Sequence, residues 1–350
     1  MRLGVFIPIG NNGWLPSTTA PQYLPTFDLN RTVVQRAEHY GFEFALSMVK
    51  LRGRGGVTRH WDYNLEPFTL MAGIAAVTSR IKIFATVPSL VVPPAYAARM
   101  ATTVDSISNG RFGLNLVTGW QKNEYAQMGL WPGDEHFSSR YDYLAEYVRI
   151  MKDLWTNGQS DFKGKYFQMD DCRVLPLPQK PITLMCAAAS DKGMEFSARE
   201  CDFNFCNFAA GDLVENARDN KARFDAACER VGRHAETYGN LMIIADETDE
   251  AARAKFEHYA DGTDYAAINT KVEQAALDLN ASPDSAAARF RSTPGRLSPR
   301  GRLIGSYETV ARTLDAFSDV GLNGVMLTFD DFVSGIETFG QRILPLMKCR

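Results

Sequence analysis

No apolar run in the 350 residues approaches the roughly 18 that a membrane-crossing helix needs. The six cysteines (Cys172, Cys186, Cys201, Cys206, Cys228 and Cys349) show no Cys-x-x-Cys spacing. A chain this long builds its core without disulfide staples, and Cys186 and Cys206 lie in apolar runs where a thiol acts as a small hydrophobe. All six are therefore read as reduced and structural. The first apolar run starts at residue 3, so no targeting leader is expected and the expected location is the cytoplasm. A basic stripe is missing too. The net charge is −3, and the cluster Lys50-Leu-Arg-Gly-Arg54 is too short to hold a phosphate backbone. No nucleic-acid partner is expected; the cluster either meets a small anion or is a solvated loop. Histidines 39, 60, 136, 234 and 258 are scattered without metal-ligand spacing, and Asp170-Asp171 and Asp330-Asp331 have no further ligands beside them, so no metal is expected. No Gly-x-Gly-x-x-Gly turn follows a strand, which removes the dinucleotide-binding open sheet.

What is present is a soluble-type composition, 45% hydrophobic and 23% charged, with enough apolar residues for a sizeable core. Strand-like runs are predicted at 3–9, 42–47, 81–86, 112–117, 182–187, 202–206, 240–245 and 324–328. Helical spacing follows them, from about Asp28, near Glu66, after Pro93-Pro94, over 140–155, after the cap Ser190, over 212–231, from Thr248, after the cap Ser306 and over 336–347. Eight strand-then-helix units favour an α/β fold closed into a (β/α)₈ TIM barrel, one domain over 1–350. Two stretches depart from the repeat. Residues 156–181, with a strand at 165–169, read as a hairpin excursion, and 262–303 as an insertion or mobile lid. The long 14–25 loop has the length of a binding loop.

Catalytic groups of such barrels gather at the C-terminal strand ends. Those ends carry Leu46-Ser47, Val49-Lys50, Thr86, Asn115, Thr118, Ser190 and Thr328-Phe329. The set offers amides, hydroxyls and apolar side chains with one lysine, and no nucleophile beside a base. Such a mouth suits a bound cofactor that brings its own chemistry, and a flavin ring fits amides on one side with apolar contacts on the other. Asn115 interrupts the apolar run 112–117, so it must find a partner; a bond to a neighbouring strand is the simpler role. Ser190 is a helix cap or a phosphate site, the two evenly weighed. Arg140 at a helix start opposes the dipole, which favours an anion nearby. Glu124 alone reads as solvated.

The segments Gly4-Val-Phe-Ile-Pro-Ile-Gly-Asn-Asn-Gly-Trp14, Ala20-Pro-Gln-Tyr23, Phe44-Ala-Leu-Ser-Met-Val-Lys-Leu-Arg52, Asn115-Leu-Val-Thr-Gly-Trp-Gln121, Trp131-Pro-Gly-Asp134, Arg140-Tyr-Asp-Tyr143 and Leu327-Thr-Phe-Asp-Asp331 resemble the flavin-dependent monooxygenases of the bacterial-luciferase superfamily. Within it they resemble the pyrimidine monooxygenases of the Rut uracil-degradation pathway. The resemblance implies a luciferase-like barrel holding FMN at Val49, Lys50, Asn115, Glu124, Arg140, Tyr141 and Ser190, with Arg140, Tyr141 and Ser190 at the phosphate end. Leu46, Thr86 and Asn115 match the dioxygen and substrate side and are the expected catalytic residues. It further implies reduced FMN supplied in trans by an NADH-dependent flavin reductase, O2 as co-substrate, and cleavage of the N3–C4 amide bond of uracil to a ureidoacrylate-type product. A homo-oligomer is left open.

The family pattern has small residues after Thr86 and Gly-Gln before Ser190, whereas this chain has Val87-Pro88 and Ala188-Ala189. A relative acting on another heterocyclic or halogenated ring is therefore the alternative. A deazaflavin-dependent oxidoreductase and a flavin-storage protein complete the competing readings.

Overall fold

A computed structural model describes residues 1–209, 211–278, 281, 283, 285–291 and 295–350. The chain runs β1 (Arg2–Phe6), α1 (Phe27–His39), β2 (Phe44–Ser47), α2 (Pro67–Ala76), β3 (Lys82–Pro88), α3 (Pro94–Ser108), β4 (Phe112–Val117), α4 (Lys122–Ala126) and α5 (His136–Asn157). It continues through β5 (Gln159–Ser160), β6 (Cys172–Arg173), β7 (Thr183–Cys186), α6 (Asp191–Glu200), β8 (Phe203–Asn207), α7 (Leu213–Val231), β9 (Glu236–Asp246), α8 (Asp249–Asp261), α9 (Tyr265–Ala276), α10 (Ala286–Arg291), β10 (Arg302–Ser306), α11 (Tyr307–Asp319), β11 (Gly324–Phe329) and α12 (Phe332–Thr338).

The order β9-β11-β1-β2-β3-β4-β7-β8 is parallel throughout, and pairing of β8 with β9 from Phe203↔Glu236 to Asn207↔Asn240 closes the ring. This is the expected eight-strand barrel. Its strands are buried on both faces and so read as continuous apolar runs. Strand β9 outlasts β8, and its far half pairs with β10 from Met242↔Arg302 to Asp246↔Ser306, a ninth strand that weak patterning hid.

Inside the ring lies an aromatic plug of Phe44, Phe84, Phe203, Phe205 and Tyr238 with Leu46, Met185 and Met326. Glycines on adjacent strands make room for it: a Cβ at Gly4 would stand 2.0 Å from the Phe44 ring, and one at Gly113 2.2 Å from Phe84. Each ring so buried contributes about 1.5–3 kcal/mol. The plug also gives the C-terminal mouth a dry floor.

Several predicted boundaries move: the strand expected at 3–9 ends at Phe6, and the one expected at 240–245 begins at Glu236. The strand expected at 165–169 does not form, because Glu146 of α5 accepts the backbone N–H groups of Lys165, Tyr166 and Phe167 that a partner strand would need. The excursion is instead closed by antiparallel β5 and β6. The last helix starts at Phe332 rather than 336, where Asp331 caps the N–H of Ser334; past Thr338 it widens into a π turn, Phe339–Ile343, and then tightens into a 3-10 turn, Leu344–Leu346, that holds Pro345. Helix α5 starts at His136, four residues before its predicted start, because the buried His136 ring donates from Nε2 to the Thr118 carbonyl at 2.7 Å.

The 262–303 segment holds α9 and α10, part of it lying outside the described residues. Its near end is tied down. Asp264 caps α9 and accepts from the Thr58 N–H and hydroxyl, both at 2.8 Å, while its own N–H donates to Pro16 O. No helix among the described residues is long and apolar enough to cross a membrane.

Candidate active site

Parallel register sets Thr86 of β3 directly beside Asn115 of β4. The Thr86 hydroxyl donates to the Ser47 carbonyl of β2 at 2.5 Å and accepts from Asn115 Nδ2 at 2.9 Å. The bond to a neighbouring strand expected of Asn115 is present, yet its Oδ1 is buried without a partner among the described residues. A half-satisfied amide of this kind costs about 1–3 kcal/mol unless something docks against it. Leu46 lies in the aromatic plug, one residue before Ser47, so it belongs to the floor rather than to the polar wall.

Glu124 is not solvated. On the short α4 it is buried, where its carboxylate forms an ion pair with Lys50 Nζ and accepts from the Leu51 N–H at 3.0 Å. Lys50 also donates to Gln121 Oε1 at 2.6 Å. Burial, partly offset by the Glu124 charge, brings the Lys50 ammonium down to about 8. Val49 beside it is half-buried. Sequence spacing had no means of showing this pair, since its partners lie 74 residues apart.

Arg140 falls in the second turn of α5, so the helix-start argument for it fails. Its partner is an anion all the same: Nη1 reaches Asp278 Oδ2 at 2.9 Å, with both side chains largely buried. Ser190 caps α6, accepting from the Gly193 N–H at 3.3 Å. The Tyr141 ring packs on Phe196 and covers that first turn so closely that a Cβ at Gly193 would stand 2.3 Å from its hydroxyl. Tyr141 and Ser190 thus meet at one helix N-terminus, where free N–H groups favour an anion.

Ala189, next to Ser190, reaches a cavity of about 370 Å³ lined by Asn207 of β8, Asn240 of β9 and Thr328 of β11 and walled by Trp14 and Trp61; its described lining includes none of Lys50, Thr86, Asn115, Arg140, Tyr141 and Ser190. Its roof is the 262–303 segment, through Lys271, Phe290, Arg300 and neighbours. Trp61 joins the two halves of the mouth. Lys50 stands 5.7 Å from its ring centroid and Arg54 4.1 Å, while Phe290 stacks on Trp120. The sequence marked 262–303 as an insertion or lid but singled out none of its lining residues, although an insertion after the C-terminal end of a barrel strand must overlie the mouth. Among the described residues no group of three His, Cys, Asp or Glu stands close enough to hold a metal.

Residues 1–324 match the family described as luciferase-like monooxygenase. The chain belongs to the luciferase-like monooxygenases. Among relatives of this monooxygenase are the pyrimidine monooxygenase RutA of Escherichia coli O6:K15:H31, 59% identical, and that of Enterobacter sp. strain 638, 58% identical; each match spans the whole of this chain and 97% of the relative. A crystal structure of riboflavin lyase RcaE with modified FMN and riboflavin superposes with a TM-score of 0.84 at 19% identity, covering 99% of this chain and 91% of the lyase, and so shares the fold.

Proposed function

We propose that this monooxygenase uses reduced FMN, delivered by a separate NADH-dependent flavin reductase, and O2 to cleave the N3–C4 amide of uracil or a similar pyrimidine. The product is of the ureidoacrylate type. The observation that carries the reading is the polar wall of Thr86 and Asn115, with one orphaned amide oxygen, in a mouth that among the described residues has no acid–base pair free to act. Relatives of the same length named as pyrimidine monooxygenases support the substrate class.

The residues present fit a flavin. The unpartnered Asn115 Oδ1 offers an acceptor to a ring N–H, and Lys50 with Glu124 gives a rigid charged edge beside Val49. Arg140, Tyr141 and the α6 terminus at Ser190 offer a cation, a hydroxyl and free N–H groups to a phosphate. When bound and reduced, a flavin supplies the electrons that activate dioxygen. The protein's share is to orient the ring and the pyrimidine and to keep water off both, which the aromatic floor and the roof accomplish. Leu46 shapes that floor.

The deciding assay combines purified protein, FMN, NADH, a flavin reductase and uracil, followed by mass spectrometry. Ring-opened product that requires oxygen supports the reading; turnover without oxygen, or no product from any pyrimidine, sinks it. Arg140→Ala is expected to weaken FMN binding by about 1.5–3 kcal/mol, the scale of a charge-assisted bond, and to leave riboflavin affinity unchanged. Equal losses for both flavins would move the phosphate elsewhere. Asp278→Asn removes the internal competitor for Arg140, so FMN should bind about tenfold more tightly, roughly 1.4 kcal/mol. Weaker binding in a titration of that variant would show that Asp278 serves the cofactor rather than competing with it.

A further inference from the structure

We propose that Arg54, Lys271 and Arg302 form an anion subsite in the mouth cavity, which selects a planar heterocycle carrying a negative charge over a neutral one. The inference rests on the pyrimidine reading above and sharpens its substrate class.

Among the described residues the cavity lining contains five cationic side chains, Arg54, Lys271, Arg296, Arg300 and Arg302, and no aspartate or glutamate. Arg296 is neutralised outside, by Glu257 and Asp261. Arg54, Lys271 and Arg302 have no carboxylate within 4 Å among the described residues. The Arg54 guanidinium lies over Trp61 with its Nε unpartnered, and the Lys271 ammonium stands 3.7 Å from the Phe290 centroid. Arg302 spends its Nη groups on the carbonyls of Ser298, Arg300 and Trp14, and its Nε is left over. Nor does His60 help. Stacked on Trp61, it is buried among Arg54, Lys271 and Lys50 and held neutral, its ring titrating well below the ordinary range.

Like charges gathered in a cavity of low dielectric repel one another and lose hydration, unless an anion joins them. The strain is visible in each group. Burial brings Arg54 and Arg302 down to about 10. Burial, and then the charges of Arg54, Arg302, Lys50 and Arg300, hold the Lys271 ammonium well below its ordinary range. Trp14, Trp61 and Phe290 supply flat apolar faces, and Asn207, Asn240 and Thr328 supply neutral hydrogen-bonding groups. Aromatic faces with a surplus of positive charge match a ring ionised at neutral pH, through a carboxylate substituent or an acidic ring proton. A neutral ring would leave the charges as they are.

The test is a titration of the full-length protein at pH 7, followed by calorimetry and tryptophan fluorescence, with uracil, orotate and barbiturate as probes. At least one of the two anions should bind about tenfold or more tightly than uracil, and Lys271→Met and Arg54→Gln should each remove most of that preference. Equal or weaker binding of both anions overturns the proposal, as does a preference that survives both substitutions. Variants that lose FMN but keep riboflavin would also overturn it, by showing that the cluster holds the cofactor's phosphate. A retained anion preference alongside no product from any pyrimidine supports the subsite and overturns only the pyrimidine reading.

Discussion

Asn115→Ala should leave the barrel standing and lower turnover by about two to three orders of magnitude, the scale of removing one positioned hydrogen-bonding group from a reaction centre. The stability side follows from the two ends of the amide. Losing the bond from Nδ2 to Thr86 costs about 0.5–1.5 kcal/mol, while removing the buried, unpartnered Oδ1 relieves about 1–3 kcal/mol. Thr86 keeps its own donor bond to Ser47, so no new orphan donor appears. The net change should lie between about 0.5 kcal/mol of lost and about 2.5 kcal/mol of gained stability. Thermal unfolding and product formation, measured on the same preparation, separate the two effects. Unaltered turnover would remove Asn115 from the reaction centre, and a collapsed melting point would make it a structural residue.

Glu124→Ala should be the most destabilising single change at the mouth, by about 3–5 kcal/mol, because it leaves the Lys50 ammonium buried opposite only a neutral Gln121. The Leu51 N–H loses its acceptor as well. Desolvation already pulls Lys50 down, so the lone amine would shed its proton rather than stay charged. The double variant Lys50→Met with Glu124→Gln removes both charges and keeps an acceptor for Leu51. It should therefore lose much less stability than Glu124→Ala alone. Urea unfolding of the three proteins checks the order. A single-variant loss under about 1 kcal/mol, as for an exposed pair, would show that the ion pair is solvated.

The barrel was legible because its strands are buried on both faces and its helices carry their own punctuation. Thr248, Asp212, Ser190 and Ser306 cap the helices they were expected to start or to precede. Legibility failed where distant residues decide. The start of α5 is fixed by His136 on Thr118, with no side-chain cap to announce it. Glu124 looked solvated because its partner lies on another strand end. Thr86 and Asn115 were each placed at a C-terminal strand end, and the register of the adjacent parallel strands is what makes them partners. The roof was least legible: α9 and α10 are short, and their apolar faces answer to loops from elsewhere in the chain, as Phe290 does to Trp120.

That roof is moored at both ends, by Asp264 on Thr58 and by β10 along β9. Its endpoints are thus held by the scaffold, and lengthening the span between them adds only about 0.6 kcal/mol per doubling. Residues in the interval can be rewritten, one charge at a time, with the eight strands indifferent to the outcome. Under the proposed function, substrate preference can then be reset by substitutions in that span without rebuilding the barrel beneath it.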